Sequence, residues 1–313
     1  MTHANAETLP FQTIGIVGCG MIGCSLAAAL RSREFRGQIV GCGRPGANLE
    51  TALGRGLVDR VESEAARAAA ACDFVVVCTP VNRIVDDVRT LAKAARPGTL
   101  ITDAGSVKQP ICRSLEDLPA GVEFIGSHPI AGSEKQGCAH ADAQLFVDRV
   151  CVVTPPPSAS RALVARVGEF WQALGMSVVE MSPEAHDRAL AQTSHVPHAV
   201  AAALAASLAV ENRGLTAGGF QDTTRIAAGD PELWSAILLA NADEVAAGLR
   251  TVSARLGDLL AALESHDKMR LRALLQTAKQ NRDGLGTVRA NGLRESAGGP
   301  RGTSDGDTSK GTH

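Results

Sequence analysis

The sequence predicts an α/β domain built on a parallel sheet, followed by an all-α domain. Three observations carry this. From Thr13 to Val153, short apolar runs alternate with helical stretches, as in a parallel sheet covered on both faces. The first run enters a glycine turn, Gly18-Cys19-Gly20-Met21-Ile22-Gly23, that leads directly into a helix. Beyond Pro155-Pro156-Pro157, helical stretches dominate as far as about Gly284.

The chain has 313 residues, enough for two domains of ordinary size. A net charge of −2 gives no electrostatic reason to expect a polyanion partner. Aromatics make up 3% with no Tyr, so no base-stacking platform is expected, and nucleic acid is not an expected partner. No apolar run is long enough to span a membrane; the Ala-rich run after His198 is bounded by His195 and Glu211. Met1 to Pro10 lacks the basic start and apolar core of a signal peptide. The eight cysteines form no C-x-x-C pair and are absent from the C-terminal half. They read as reduced core thiols of a cytoplasmic protein, not as a disulfide framework or a zinc site.

Taken in order, Thr13 to Val17 is the first strand and Cys24 to Arg31 lies in the first helix. Between them the G-x-G-x-x-G spacing has a mechanical meaning. Gly18 permits the tight turn, Gly20 lets a pyrophosphate approach the backbone, and Gly23 lets the helix pack on the strand. The helix start, with Met21 and Ile22, offers N–H groups and positive potential to phosphates. This is the signature of an α/β Rossmann-type dinucleotide-binding domain. The next strand, Gln38 to Cys42, ends in Gly43-Arg44 where an acidic residue would bind ribose hydroxyls. Gly makes room for a 2′-phosphate and Arg44 can pair with it, so NADP is expected ahead of NAD. Asp73 to Cys78 is a third strand, and Thr79-Pro80 after it is expected to run beside the cofactor.

Leu100 to Asp103 and Val122 to Ile125 read as further strands, the second ending in Gly126-Ser127-His128-Pro129. That places His128 on a loop at a strand's end, where open α/β sheets put their chemistry. Histidine is the side chain best suited to take a proton near neutrality. Val150 to Val153 precedes the triple proline, which we take as the domain boundary. The expected division is residues 1–156 for the dinucleotide domain, 157–286 for a helical substrate and dimerisation domain, and 287–313 for a disordered tail. In the second part, Ala162 to Leu174 reads as a helix, Ser177 to Met181 as a short strand, and Pro183 opens a long helical segment. Long apolar helical faces make a homodimer the expected assembly.

Several motifs together resemble the prephenate/arogenate dehydrogenase family of tyrosine biosynthesis. They are the glycine turn, Thr102 to Lys108, Ser127 to Glu134, Pro183-Glu184-Ala185-His186-Asp187, Ser194-His195-Val196-Pro197-His198 and Asp222 to Ala227. The resemblance spans about Ile14 to Gly284. It implies a Rossmann domain followed by an all-α dimerisation domain, and NAD(P)-dependent oxidative decarboxylation of prephenate, with arogenate as a further substrate. His128 matches the family's catalytic base. Ser106 matches the serine sharing its hydrogen-bond network. Arg225 and His198 match substrate-binding residues, and His186 a further active-site histidine. Gln136 occupies a position where an acidic residue would favour the amine of arogenate, so an amide leans toward prephenate or use of both substrates.

Other readings of these residues are simpler. His195 and His198 are three apart, a spacing open to a metal, but no complementary ligand accompanies them and no metal is expected. His195 reads as a packing or capping residue, and Ser106 could cap a helix starting near Lys108. Pro197 should kink its helix near His198. The alternatives for the whole chain are another two-domain dehydrogenase or imine reductase, and a non-catalytic NADP-binding sensor.

Overall fold

The computed structural model describes residues 9–132 and 135–285. Its strands are β1 (Thr13–Val17), β2 (Gln38–Cys42), β3 (Arg60–Glu62), β4 (Phe74–Val77), β5 (Leu100–Asp103), β6 (Glu123–Pro129), β7 (Val150–Thr154) and β8 (Ser177–Glu180). They form one sheet in the order β3-β2-β1-β4-β5-β6-β7-β8. The first six are parallel. β7 runs antiparallel to β6, and β8 lies parallel to β7.

The helices of this region are α1 (Met21–Ser32), α2 (Ala47–Gly54), α3 (Ala65–Ala71), α4 (Ile84–Ala94), α5 (Gln109–Arg113) and α6 (Arg161–Ala173). Because successive strand residues face opposite sides, the sheet has two cores. On one side, Ile14, Ile16, Phe74 and Val76 pack with Leu26 and Leu30 of α1 and Phe170 and Trp171 of α6. On the other, Val17, Val75, Val77 and Ile101 pack with Val88 and Leu91 of α4 and Ile111 of α5.

Two expectations need correction here. β6 does not stop at Ile125, and His128 is not on a loop. The parallel ladder with β5 ends at Ile125, but β7 then pairs with Gly126 through Pro129, His128 lying opposite Val152. Four residues that look like a turn are therefore strand, closed by a proline at its last position. Nor does the triple proline end the sheet layer. It only separates β7 from α6, which packs on the sheet, and β8 extends the sheet to Glu180.

The helical region starts at Pro183. It contains α7 (Pro183–Leu190), a π-helical segment (Ala191–His195), α8 (Val196–Ala206), α9 (Gly218–Thr224), a 3-10 turn (Arg225–Ala228), α10 (Pro231–Ala240), α11 (Ala242–Glu264) and α12 (Lys268–Gly284). Ser182 caps α7, its hydroxyl accepting from the Ala185 N–H at 3.1 Å. Pro197 has no N–H to give, and the helix accommodates it with the widened turn just before it, not with a break. Ala191, Val196 and Val245 form a small core between these helices. Ile237 of α10 is buried against the sheet's second core and ties the two regions together. The expected tail, 287–313, lies outside the described residues. No described helix is long and apolar enough to cross a membrane.

Candidate active site

The carboxyl ends of β1, β4, β5 and β6 share one edge of the sheet, so their following loops gather there. The glycine turn after β1 is built as its spacing requires. Gly18 has φ +95, and a Cβ on it would stand 2.8 Å from the Cys78 carbonyl carbon. A Cβ on Gly23 would meet the Gly18 carbonyl oxygen at 2.2 Å. Gly20 is different: nothing lies within 4 Å of its notional Cβ. The fold alone does not require glycine there, whereas a phosphate seated on the backbone would. Met21 and Ile22 open α1 at this turn. Thr79 is half-buried, its hydroxyl donating to Asp87 at 2.7 Å, and Pro80 and Arg44 are exposed at the same edge.

Beside this turn lies a buried chain of polar contacts. His128 Nδ1 is 2.9 Å from His186 Nε2, and His186 Nδ1 is 2.7 Å from Asp187 Oδ1. A carboxylate only accepts, so His186 carries its proton on Nδ1. Its Nε2 must then accept, which places the His128 proton on Nδ1. The Nε2 of His128 is left with a lone pair that no described residue engages. Burial holds His128 well below the usual histidine range, and the neighbouring His186, Lys108 and His195 push the same way. Burial lowers His186 too, against the opposing pull of Asp187. Both rings are therefore neutral near pH 7, and His128 is available as a base.

Asp187 does more than orient His186. Its two oxygens accept from the backbone N–H groups of Lys108 at 2.7 Å and Gln109 at 2.8 Å. Those donors open α5, so a carboxylate from α7 caps a helix of the sheet region. Ser106, the capping residue expected from the sequence, makes no side-chain hydrogen bond among the described residues, and α5 has no cap from its own flank. The structure therefore leaves Ser106 half-buried on the β5–α5 loop, without a bond to His128.

A second buried network fixes the strand that carries His128. Lys108 Nζ and Asp103 form an ion pair with both side chains fully buried. Lys108 also donates to the Ser127 carbonyl oxygen at 2.9 Å. Asp103 accepts from the Ser127 N–H at 3.1 Å and the Gly105 N–H at 2.9 Å. The Ser127 hydroxyl donates to the Asp103 carbonyl at 2.6 Å and accepts from Trp171 Nε1 at 3.0 Å. Every polar contact of the residue before His128 is thus held internally.

The helical region carries the other residues singled out in the sequence. His198 is buried, its pKa lowered by burial, and it stacks on Trp234 with ring centroids 3.5 Å apart and planes 11° from parallel. Gly229 sits beneath this stack: a Cβ there would stand 2.4 Å from Trp234 Nε1 and 3.2 Å from His198 Cε1. Arg225, at the start of the 3-10 turn, is exposed and makes no ion pair among the described residues. Gln136 is not a free amide. It donates to Asp230 Oδ2 at 2.9 Å, the residue that also caps α10. Asp103, Lys108, Asp187 and Asn241 received no role from the sequence, although the first three stand inside the quoted motifs.

Dinucleotide-dependent dehydrogenases place their chemistry at this carboxyl edge, and the fold and site assign the chain to that class of oxidoreductase. The family model "Prephenate dehydrogenase, nucleotide-binding domain" matches residues 26–180, and "Prephenate dehydrogenase, dimerization domain" matches residues 182–277. Their junction falls between β8 and α7. The chain is 32% identical to the prephenate dehydrogenase of Bacillus subtilis, over 88% of this chain and 76% of that one. It is also 32% identical to the cyclohexadienyl dehydrogenase of Zymomonas mobilis, over 82% and 90% of the two chains. The structure superposes on prephenate dehydrogenase from A. aeolicus, a complex with hydroxyphenyl propionate and NAD+, with a TM-score of 0.83. Identity there is 31%, covering 89% of this chain and 99% of that one. The chain belongs to the prephenate dehydrogenase family.

Proposed function

We propose that the protein converts prephenate to 4-hydroxyphenylpyruvate by NAD(P)-dependent oxidative decarboxylation, accepts arogenate more weakly, and prefers NADP to NAD. The observation that carries this reading is the His128–His186–Asp187 chain, which leaves one buried ring nitrogen ready to take a proton. When bound, the dinucleotide supplies the hydride acceptor. Gly18, Gly20, Met21, Ile22 and Gly23 would hold its pyrophosphate, with Thr79 and Pro80 alongside, and Arg44 would pair with a 2′-phosphate.

The chain's own residues handle the proton and the two carboxylates. His128 Nε2 accepts the proton of the ring hydroxyl as hydride departs from the same carbon. Positive charge arising on His128 is shared through His186 toward the Asp187 carboxylate. Loss of CO₂ leaves its electron pair in the ring, which becomes a phenolate, and His128 returns the proton to that oxygen. The proton balance closes on one nitrogen. Arg225 is suited to a bidentate contact with one substrate carboxylate, and His198, fixed by Trp234, to a second polar contact. Ser106 remains a candidate for the hydroxyl once substrate is present, because its own hydroxyl is uncommitted.

Two further assignments rest on the surface and the thiols. Leu239, Leu256, Leu260, Leu263, Met269 and Leu275 are each more than half exposed. Exposed apolar residues in this number on α10, α11 and α12 support a homodimer through the helical region. The eight unpaired cysteines, six of them buried, suit a reducing compartment, the cytoplasm. The deciding experiment follows reduced-nicotinamide absorbance with prephenate and arogenate, each against NAD and NADP. Turnover is expected with prephenate and NADP, and His128→Asn should lower kcat about 10²- to 10⁴-fold. Absence of turnover in all four mixtures, from folded protein, would overturn the assignment.

A further inference from the structure

His195 has a feature that packing does not explain. Its side chain is 1% exposed, and its Nε2 is buried with no hydrogen-bond partner among the described residues. An unsatisfied N–H of this kind costs stability unless a ligand meets it. The other ring nitrogen is engaged: Asn241 Nδ2 lies 3.1 Å from His195 Nδ1. The same amide donates to the Asp187 carbonyl oxygen at 2.8 Å, which fixes it with its nitrogen toward both acceptors. Because an amide nitrogen only donates, His195 Nδ1 must accept, and the ring proton sits on Nε2.

The ring sits among other buried groups of the candidate site. His195 lies close enough to His128, His186 and His198 for charge on one to be felt by another. Its ring stands edge-on to Trp234, with centroids 6.4 Å apart. It also ends the π-helical segment, a rare widened turn that recurs at functional sites. His195 and His198 are both buried, and His195 lies near enough to His128 for its charge to act there. Burial drives the His195 pKa down to about 4, so the ring is a neutral donor across the physiological range.

We propose that His195, locked by Asn241 as the Nε2–H tautomer, donates that hydrogen to a carboxylate oxygen of the substrate, and that Asn241 is its positioning residue. This deepens, and rests on, the dehydrogenase reading above. A neutral donor is what the ring carboxylate needs. That group gives up its charge as it leaves, so a cation would stabilise the starting state more than the transition state. The cationic contact by Arg225 is then left to the carboxylate that stays.

The test uses the full-length protein. His195→Leu removes the donor, and His195→Gln places an amide N–H near the former Nε2. With prephenate, KM is expected to rise about ten- to a hundredfold in His195→Leu, the value of one hydrogen bond to a charged group. Most of that loss should be recovered in His195→Gln, and Asn241→Leu should fall between. Thermal melts establish that each variant is folded. A folded His195→Leu protein with KM within twofold of wild type overturns the proposal. A second readout needs no turnover. In ¹⁵N-histidine NMR spectra, His195 should show the Nε2–H tautomer, and its Nε2 signal should move when prephenate is added without cofactor. An Nδ1–H tautomer, or no movement at saturating prephenate, overturns it. Wild-type inactivity with both substrates would instead sink the enzyme assignment, while this titration would still decide on the carboxylate contact.

Discussion

Replacing Asp187 with Asn probes the polar chain at its anchor. The carboxylate accepts three hydrogen bonds at 2.7–2.8 Å, from His186 Nδ1 and the N–H groups of Lys108 and Gln109. An amide of the same shape cannot serve all three. If its oxygen stays on His186, the charge that stabilises a protonated His128 is lost. If its NH₂ turns toward Nδ1, His186 must adopt the opposite tautomer, and its Nε2–H then faces His128 and forces the base's own proton onto Nε2. Either way the base is weakened, and general-base catalysis is worth about 10²- to 10⁴-fold. We expect kcat to fall by about 10²- to 10³-fold with KM changed less than threefold. One backbone donor at α5 also loses its acceptor, costing about 1–3 kcal/mol of stability. Steady-state absorbance kinetics and urea unfolding measure the two effects separately. A folded Asp187→Asn enzyme with kcat within threefold of wild type would refute the tautomer argument.

Lys108→Met should destabilise the protein by about 3–5 kcal/mol, because it strands the Asp103 carboxylate in a fully buried site; an unchanged urea midpoint would contradict this. Gly20→Ala should leave the melting temperature within a degree or two but raise KM for the dinucleotide, whereas Gly23→Ala should destabilise the fold, its Cβ meeting a carbonyl oxygen at 2.2 Å. Equal effects of the two substitutions on stability would remove the distinction between fold glycine and ligand glycine. Stability should also depend on pH. His128, His186, His195 and His198 are all depressed in the folded state, so below the ordinary value near 6.5 the unfolded chain binds more protons and stability falls with falling pH. For His195, lowered from 6.5 to about 4, the loss between pH 8 and pH 5 is about 2 kcal/mol. Urea titrations at pH 8, 6.5 and 5 measure it, and a flat profile would mean these rings are not buried neutral.

The glycine turn was legible because its spacing sets Gly18 and Gly23, which answer local steric demands, around Gly20, which leaves the backbone open to a phosphate. The parallel strands were legible because burial on both faces leaves near-continuous apolar runs. His128 was singled out in the sequence but placed on a loop, whereas it lies in a strand. Gly-Ser-His-Pro has turn composition, and only the antiparallel partner β7, about 25 residues later, makes it strand. The cap of α5 was invisible for a similar reason. Its acceptor comes from residue 187, 79 positions from Lys108, so no local pattern could supply it. His195 was read as packing because burial and apolar neighbours are all that sequence conveys. Which ring nitrogen lacks a partner is a fact of three dimensions. Gln136 fell short differently: its type was noted, but Asp230, which engages it, is 94 residues away.

The carboxylate of Asp187 belongs to one region of the chain and closes the start of a helix in the other. The protonation pattern of His128 is consequently a property of the docked pair and not of either part. Without His186 and Asp187 of α7, His128 would have nothing to set the side on which its proton sits. In the proposed mechanism, separating α7 from α5 would disarm the base. Proton chemistry in that mechanism is thus interlocked with the contact between the two regions.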